Sequence, residues 1–170
     1  MSRFIAGLVP IRITMKSVNG WKASKNKSKI GVANYMVEGT TRHFALAKDA
    51  APILCAFLAE FHELVEPIDT GVFDDWAYSY RPVRGKKKLS NHASGTACDI
   101  NATKHRLGLK HTFSKKKVAT IQVLVAKYGI GWGGNYKLRR DDMHFEMVES
   151  PQEAKARTIA MGLALPKEKP

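Results

Sequence analysis

Two short stretches hold the residues of this chain best suited to chemistry. The first is Ser90-Asn91-His92-Ala93-Ser94-Gly95-Thr96-Ala97-Cys98-Asp99-Ile100-Asn101 and the second Asp141-Asp142-Met143-His144-Phe145-Glu146. Together they supply His92, Asp99 and His144, a ligand set for one catalytic zinc ion per chain. Such a site takes three protein ligands and leaves a fourth position to water, whose pKa the metal lowers from ~15.7 towards roughly 7. A carboxylate that is not a ligand must then accept the proton. Asp141 and Asp142 both stand near enough to His144 for that role, and spacing alone leaves it open between them. The parts are those of a metal-dependent hydrolase.

His92 and Asp99 are seven apart, so on one unbroken strand their side chains would face opposite ways. Gly95, between Ser94 and Thr96, supplies a bend that brings both to one point. Alternation from Thr96 to Asn101 predicts a strand leaving that bend. A ligating imidazole needs its other nitrogen held, and the Asn and Ser neighbours of His92 are candidates for that. Met143 and Phe145, flanking His144, are expected to keep water away from the site.

The elements that must position these residues are partly legible. A helix is predicted over 44–65, with Asp49 capping, Pro52 in its first turn and an apolar stripe of Ile53, Leu54, Phe57, Phe61, Leu64 and Val65. Within it, His62-Glu63 begins a zinc-helix motif, but Glu66 stands where the second His belongs, so no metal is expected there. Alternating Trp76, Tyr78 and Tyr80 predict a half-buried strand over 74–80 that delivers Arg81, which Pro82 restricts to extended geometry. Ser114 caps a predicted helix to Tyr128, with Gly129 ending it. A strand interrupted by Gly133 and Gly134 follows over 130–136. Ser150, Pro151 and Glu153 then open a last helix over 150–162 with a capping box. Residues 1–42 read as loop with short β-branched pieces at 11–14 and 30–33. One domain is expected over all 170 residues, with its core at 49–146.

Charge narrows the partners. Lys and Arg number 28 against 15 Asp and Glu, a net charge of +13, which favours polyanions. The excess lies in runs at 22–29, 84–88, 115–117 and 137–140, spread along the chain. No recognised nucleic-acid motif accompanies it. Cys55 and Cys98 show no pairing pattern, which suits a reducing compartment. The N-terminus is a poor signal peptide, and no apolar run reaches the ~20 residues needed to span a bilayer.

Ser90-x-His92-x-x-Gly95-x-Ala97-x-Asp99 with Asp141-x-x-His144 resembles the zinc peptidases that include D-alanyl-D-alanine carboxypeptidases, D-Ala-D-Ala dipeptidases and phage L-alanyl-D-glutamate endopeptidases. The resemblance extends over 49–146, taking in Tyr80-Arg81-Pro82 and Trp132-Gly133-Gly134. It is nearest the phage endolysins, in which the base is Asp where the carboxypeptidases carry Glu. It implies an α+β fold with a small antiparallel sheet carrying the zinc, packed with helices as in the hedgehog signalling domain. It also implies that His92, Asp99 and His144 bind zinc and that Asp141, not Asp142, is general base and then acid. Arg81 would polarise the scissile carbonyl, with Arg84 its competitor, and Ser90 would bind substrate backbone or shape the turn. The expected protein is a monomeric peptidoglycan peptidase of the L-alanyl-D-glutamate type, held in the host cytoplasm until released onto the wall. Peptidoglycan is its expected partner, anionic wall polymers a further one, with no specific nucleic acid and no membrane insertion. The alternatives are a D-alanyl-D-alanine carboxypeptidase and a non-catalytic basic wall-binding protein.

Overall fold

The computed structural model describes residues 15–169. The stretch 11–14 therefore lies outside the described residues. Strands β1 (Val32–Met36) and β2 (His43–Ala47) form an antiparallel hairpin, followed by helix α1 (Ala51–Leu64). Strand β3 (Ala97–Asp99), helix α2 (Lys115–Tyr128), strands β4 (Ile130–Trp132) and β5 (His144–Met147), and helix α3 (Pro151–Ala160) complete the order. A second antiparallel sheet has the order β3-β5-β4, with β5 in the centre. The fold is α+β, as the resemblance implies.

Residues 44–47 are strand, not the start of a helix, because Phe44 and Leu46 alternate and both are buried while His43 is exposed. Ala50, not Asp49, occupies the cap of α1, without a side-chain hydrogen bond, and Pro52 sits in the first turn. Ile53, Leu54, Phe57 and Phe61 are fully buried, but Leu64 lies beyond the edge of the stripe at 58% exposure. Over 74–80 the chain is extended, yet it pairs with β3 only at the Trp76–Asp99 bridge. The buried residues there are Asp74 and Ala77, while Trp76 is exposed and Tyr78 and Tyr80 are half-buried. The strand expected over 130–136 stops at Trp132, and Gly133–Asn135 turn as a short 3-10 helix. Helices α2 and α3 begin on Ser114 and Ser150, and α3 has the capping box.

Strand β5 joins core and site. Phe145 and Met147 are fully buried on one face, with the Phe145 ring 4.9 Å from that of Phe57 and 5.4 Å from that of Phe61. His144 and Glu146 fall on the other face by the alternation of a strand. Burying Phe145 against α1 thus fixes which way His144 points. Both cysteines are buried and unpaired. Among the described residues no helix is long and apolar enough to cross a membrane.

Candidate metal centre

His92 sits in a 3-10 turn, Asn91–Ser94, opened by Ser90, whose Oγ accepts from the His92 amide at 3.4 Å. Gly95 ends the turn at φ 68°, a left-handed conformation that glycine adopts freely. A Cβ at Gly95 would also lie 2.7 Å from Val32 Cγ2 and 2.8 Å from the Ala47 nitrogen. The turn therefore rests against the β1–β2 hairpin, and β3 leaves it carrying Asp99. Asp99 stands opposite His144 in the β3–β5 ladder. Turn and ladder bring His92, Asp99 and His144 together, all three buried.

The donor atoms form a triangle. His144 Nδ1 is 2.9 Å from Asp99 Oδ1, His92 Nε2 is 3.2 Å from His144 Nδ1, and His92 Nε2 is 3.3 Å from Asp99 Oδ1. Donors held tetrahedrally at ~2.0–2.2 Å from zinc lie about 3.3–3.6 Å apart, so the triangle needs only slight expansion to hold the ion. Outer partners set the tautomers. His92 Nδ1 faces the Ala77 carbonyl oxygen at 2.5 Å, so Nδ1 donates its hydrogen and Nε2 keeps its lone pair towards the centre. His144 Nε2 faces Glu146 Oε2 at 3.0 Å, which frees Nδ1 in the same way. Trp76 Nε1 donates to Asp99 Oδ2 at 3.0 Å and leaves Oδ1 for the centre. Three lone pairs converging on one point require a cation there, and one metal ion fits.

Electrostatics state the same demand. Burial would raise the Asp99 carboxyl, yet hydrogen bonds from His144 and His92 hold it well below the usual carboxylate range. Burial would lower His144, but Asp99 and Glu146 keep it up at about 10. Glu146, against burial, is held down to about 2 by His144, Tyr136 and Asn91. Without a metal, a proton on His144 supplies the positive charge, and proton and ion compete for the same lone pair.

The neighbouring aspartates differ. Asp142 is buried and occupied: Oδ2 accepts from the Thr112 amide at 3.2 Å and hydroxyl at 2.7 Å, and Oδ1 meets Arg140 Nε at 3.3 Å. Asp141 has a buried Oδ1 without a hydrogen-bond partner among the described residues. Burial raises its pKa, with Asp99 adding and His144 and His92 opposing, which puts it in the field of the centre. Gly133 makes room for it, since a Cβ there would lie 2.9 Å from the Asp141 Cβ. Arg81 is exposed, its carbonyl accepts from the Ser90 amide at 3.0 Å, and its guanidinium has no acidic partner among the described residues. Arg84 lies three residues further on, in an exposed turn.

Glu146, Trp76 and the Ala77 carbonyl were not expected as holders of the ligands. Only Glu146 had a readable signal, two residues after His144 on the same strand face. Asn91 holds Glu146, donating to Oε2 at 2.5 Å, and does not hold the His92 ring. Phe145 turns into the core, away from the centre. Glu66 binds His105, Lys117 and Asn101, each at 2.7 Å.

Residues 84–147 match the family model described as D-alanyl-D-alanine carboxypeptidase. The match takes in Ser90, His92, Asp99, Asp141 and His144 and begins after Arg81. No curated protein and no solved structure gives a significant match to the chain.

Proposed function

Because the chain is a zinc peptidase of the D-alanyl-D-alanine carboxypeptidase family, acting on peptidoglycan, we propose that it is an endolysin-type endopeptidase. It hydrolyses the bond between L-alanine and D-glutamate in the stem peptide. His92, Asp99 and His144 hold the ion, which when bound polarises a carbonyl and makes hydroxide available at neutral pH. Asp141 Oδ1 takes the proton from the attacking water and returns it to the leaving amine. Its raised pKa brings that exchange nearer neutrality. Arg81, always charged and without an acidic partner among the described residues, stabilises the oxyanion. Ser90 shapes the turn, and its hydroxyl hydrogen is available to a substrate carbonyl. The observation that carries this reading is a buried Asp141 oxygen, without a hydrogen-bond partner among the described residues, three residues before a ligand of the converging His92, Asp99 and His144 set. An aspartate base, with no glutamate in its place, supports the endolysin branch.

The matched family's description favours a second reading, removal of terminal D-Ala. Digestion of purified peptidoglycan followed by mass spectrometry of the new termini separates the two. A new D-glutamate amine is expected. Released D-alanine without internal cleavage would select the carboxypeptidase, and no new terminus from zinc-loaded protein would remove both.

A further inference from the structure

We infer that the segments 15–31 and 76–98 form one surface for a phosphate-bearing anionic polymer of the cell wall, continuous with the metal centre. The choice of a wall polymer rests on the peptidase reading; the surface does not. The first segment carries five lysines, the second Arg81, Arg84 and the Lys86–Lys88 run, and neither contains an Asp or Glu. All these cations are exposed, and none forms an ion pair among the described residues. Elsewhere lysines do find carboxylates, Lys117 on Glu66 and Lys127 on Glu60. Most of the chain's net charge is thus gathered where nothing in the fold neutralises it, a self-repelling arrangement that an external polyanion relieves.

The fold places the two segments side by side. The Val18 amide donates to the Leu89 carbonyl at 3.0 Å, and the Tyr78 hydroxyl to the Ser24 carbonyl at 2.5 Å. Lys27 and Lys25 lie over the rings of Tyr78 and Tyr80, 5.2 and 5.8 Å from their centroids. The same stretch supplies the Trp76 and Ala77 contacts to Asp99 and His92. A polymer lying on the lysines would therefore hold the attached wall at the mouth of the site. Binding of single-stranded nucleic acid uses open aromatic faces on which bases stack. Here a lysine lies over each tyrosine ring, so the surface offers ammonium groups for phosphates and leaves only Trp76 as an exposed ring on which a base could stack.

The test is sedimentation of the zinc-loaded protein with intact walls and with walls stripped of phosphate polymers by hydrofluoric acid, over a salt series. Intact walls should retain the protein about tenfold better, with the difference closing as salt rises. The triple variant Lys86→Gln/Lys87→Gln/Lys88→Gln should lose that difference while keeping its zinc content and melting temperature. Lys115→Gln/Lys116→Gln, on α2, should keep it. Equal retention on stripped walls, an unaffected triple variant, or an equal effect of the α2 pair would each overturn the inference. So would tighter binding to DNA than to intact walls at the same salt, which would give the surface to nucleic acid. Each readout is binding, so a failure here is separate from a failure to cut peptidoglycan.

Discussion

Asp99 and His144 are direct partners in the β3–β5 ladder, and the backbone register that pairs them also sets Asp99 Oδ1 2.9 Å from His144 Nδ1. Two of the three donors are thus placed by sheet hydrogen bonds and not by loop packing. A one-residue slip of β5 would send His144 to the core face and Phe145 to the metal face. The three buried aromatic contacts of Phe145, to Phe57, Phe61 and Trp132, oppose that slip.

Asp141→Asn keeps size and removes the proton acceptor. We expect full zinc content and a fall in kcat of ~10²–10⁴. Asp142→Asn should do the reverse, leaving chemistry largely intact and lowering stability by about 1–3 kcal/mol through its broken buried hydrogen bonds. Kinetics and thermal melting of the pair distinguish the roles. An active Asp141→Asn enzyme would contradict the mechanism.

Glu146→Gln leaves all three ligands in place and weakens the hold on the His144 ring. Zinc affinity should drop by about 10–100-fold, read by competition with a chromogenic chelator. Unchanged affinity would mean that the strand alone orients His144.

Arg81→Ala should cut turnover by ~10²–10³ at normal zinc occupancy. Arg84→Ala should not. A slow Arg84→Ala enzyme beside a normal Arg81→Ala enzyme would transfer the oxyanion role.

Away from the centre, burial would raise the Glu66 carboxyl, but His105, Lys117 and Asn101 hold it at about 2. The folded value lies below an unfolded value of ~4.3, so this contribution is present above that pH and is lost as pH falls towards 2. Glu66→Gln should cost about 2 kcal/mol at pH 7 after screening at Lys117 and flatten the melting temperature below pH 4.5. Parallel acid melting curves for wild type and variant would refute it.

The ligand set was readable because His92, Gly95, Asp99 and His144 carry their geometry in their spacing. Helices α2 and α3 were readable because Ser114, Gly129 and Ser150 are local signals that the fold leaves undisturbed. The β1–β2 hairpin was not, because the short Phe44–Leu46 alternation runs straight into the apolar face of α1 and reads as one helix. Trp76 and the Ala77 carbonyl were hidden for another reason. Their contacts to Asp99 and His92 join residues 23 and 15 apart, and a carbonyl has no side chain to announce it.

The support of Gly95 by Val32 and the Ala47 amide has a consequence for dissecting the chain. A fragment starting at residue 84 would retain every ligand and the whole matched segment. It would lack the scaffold on which the His92 turn leans, together with Trp76 and Ala77. The smallest autonomous peptidase in this chain is therefore larger than its signature, and shortening it from the front would cost the metal before it cost any residue that touches the metal.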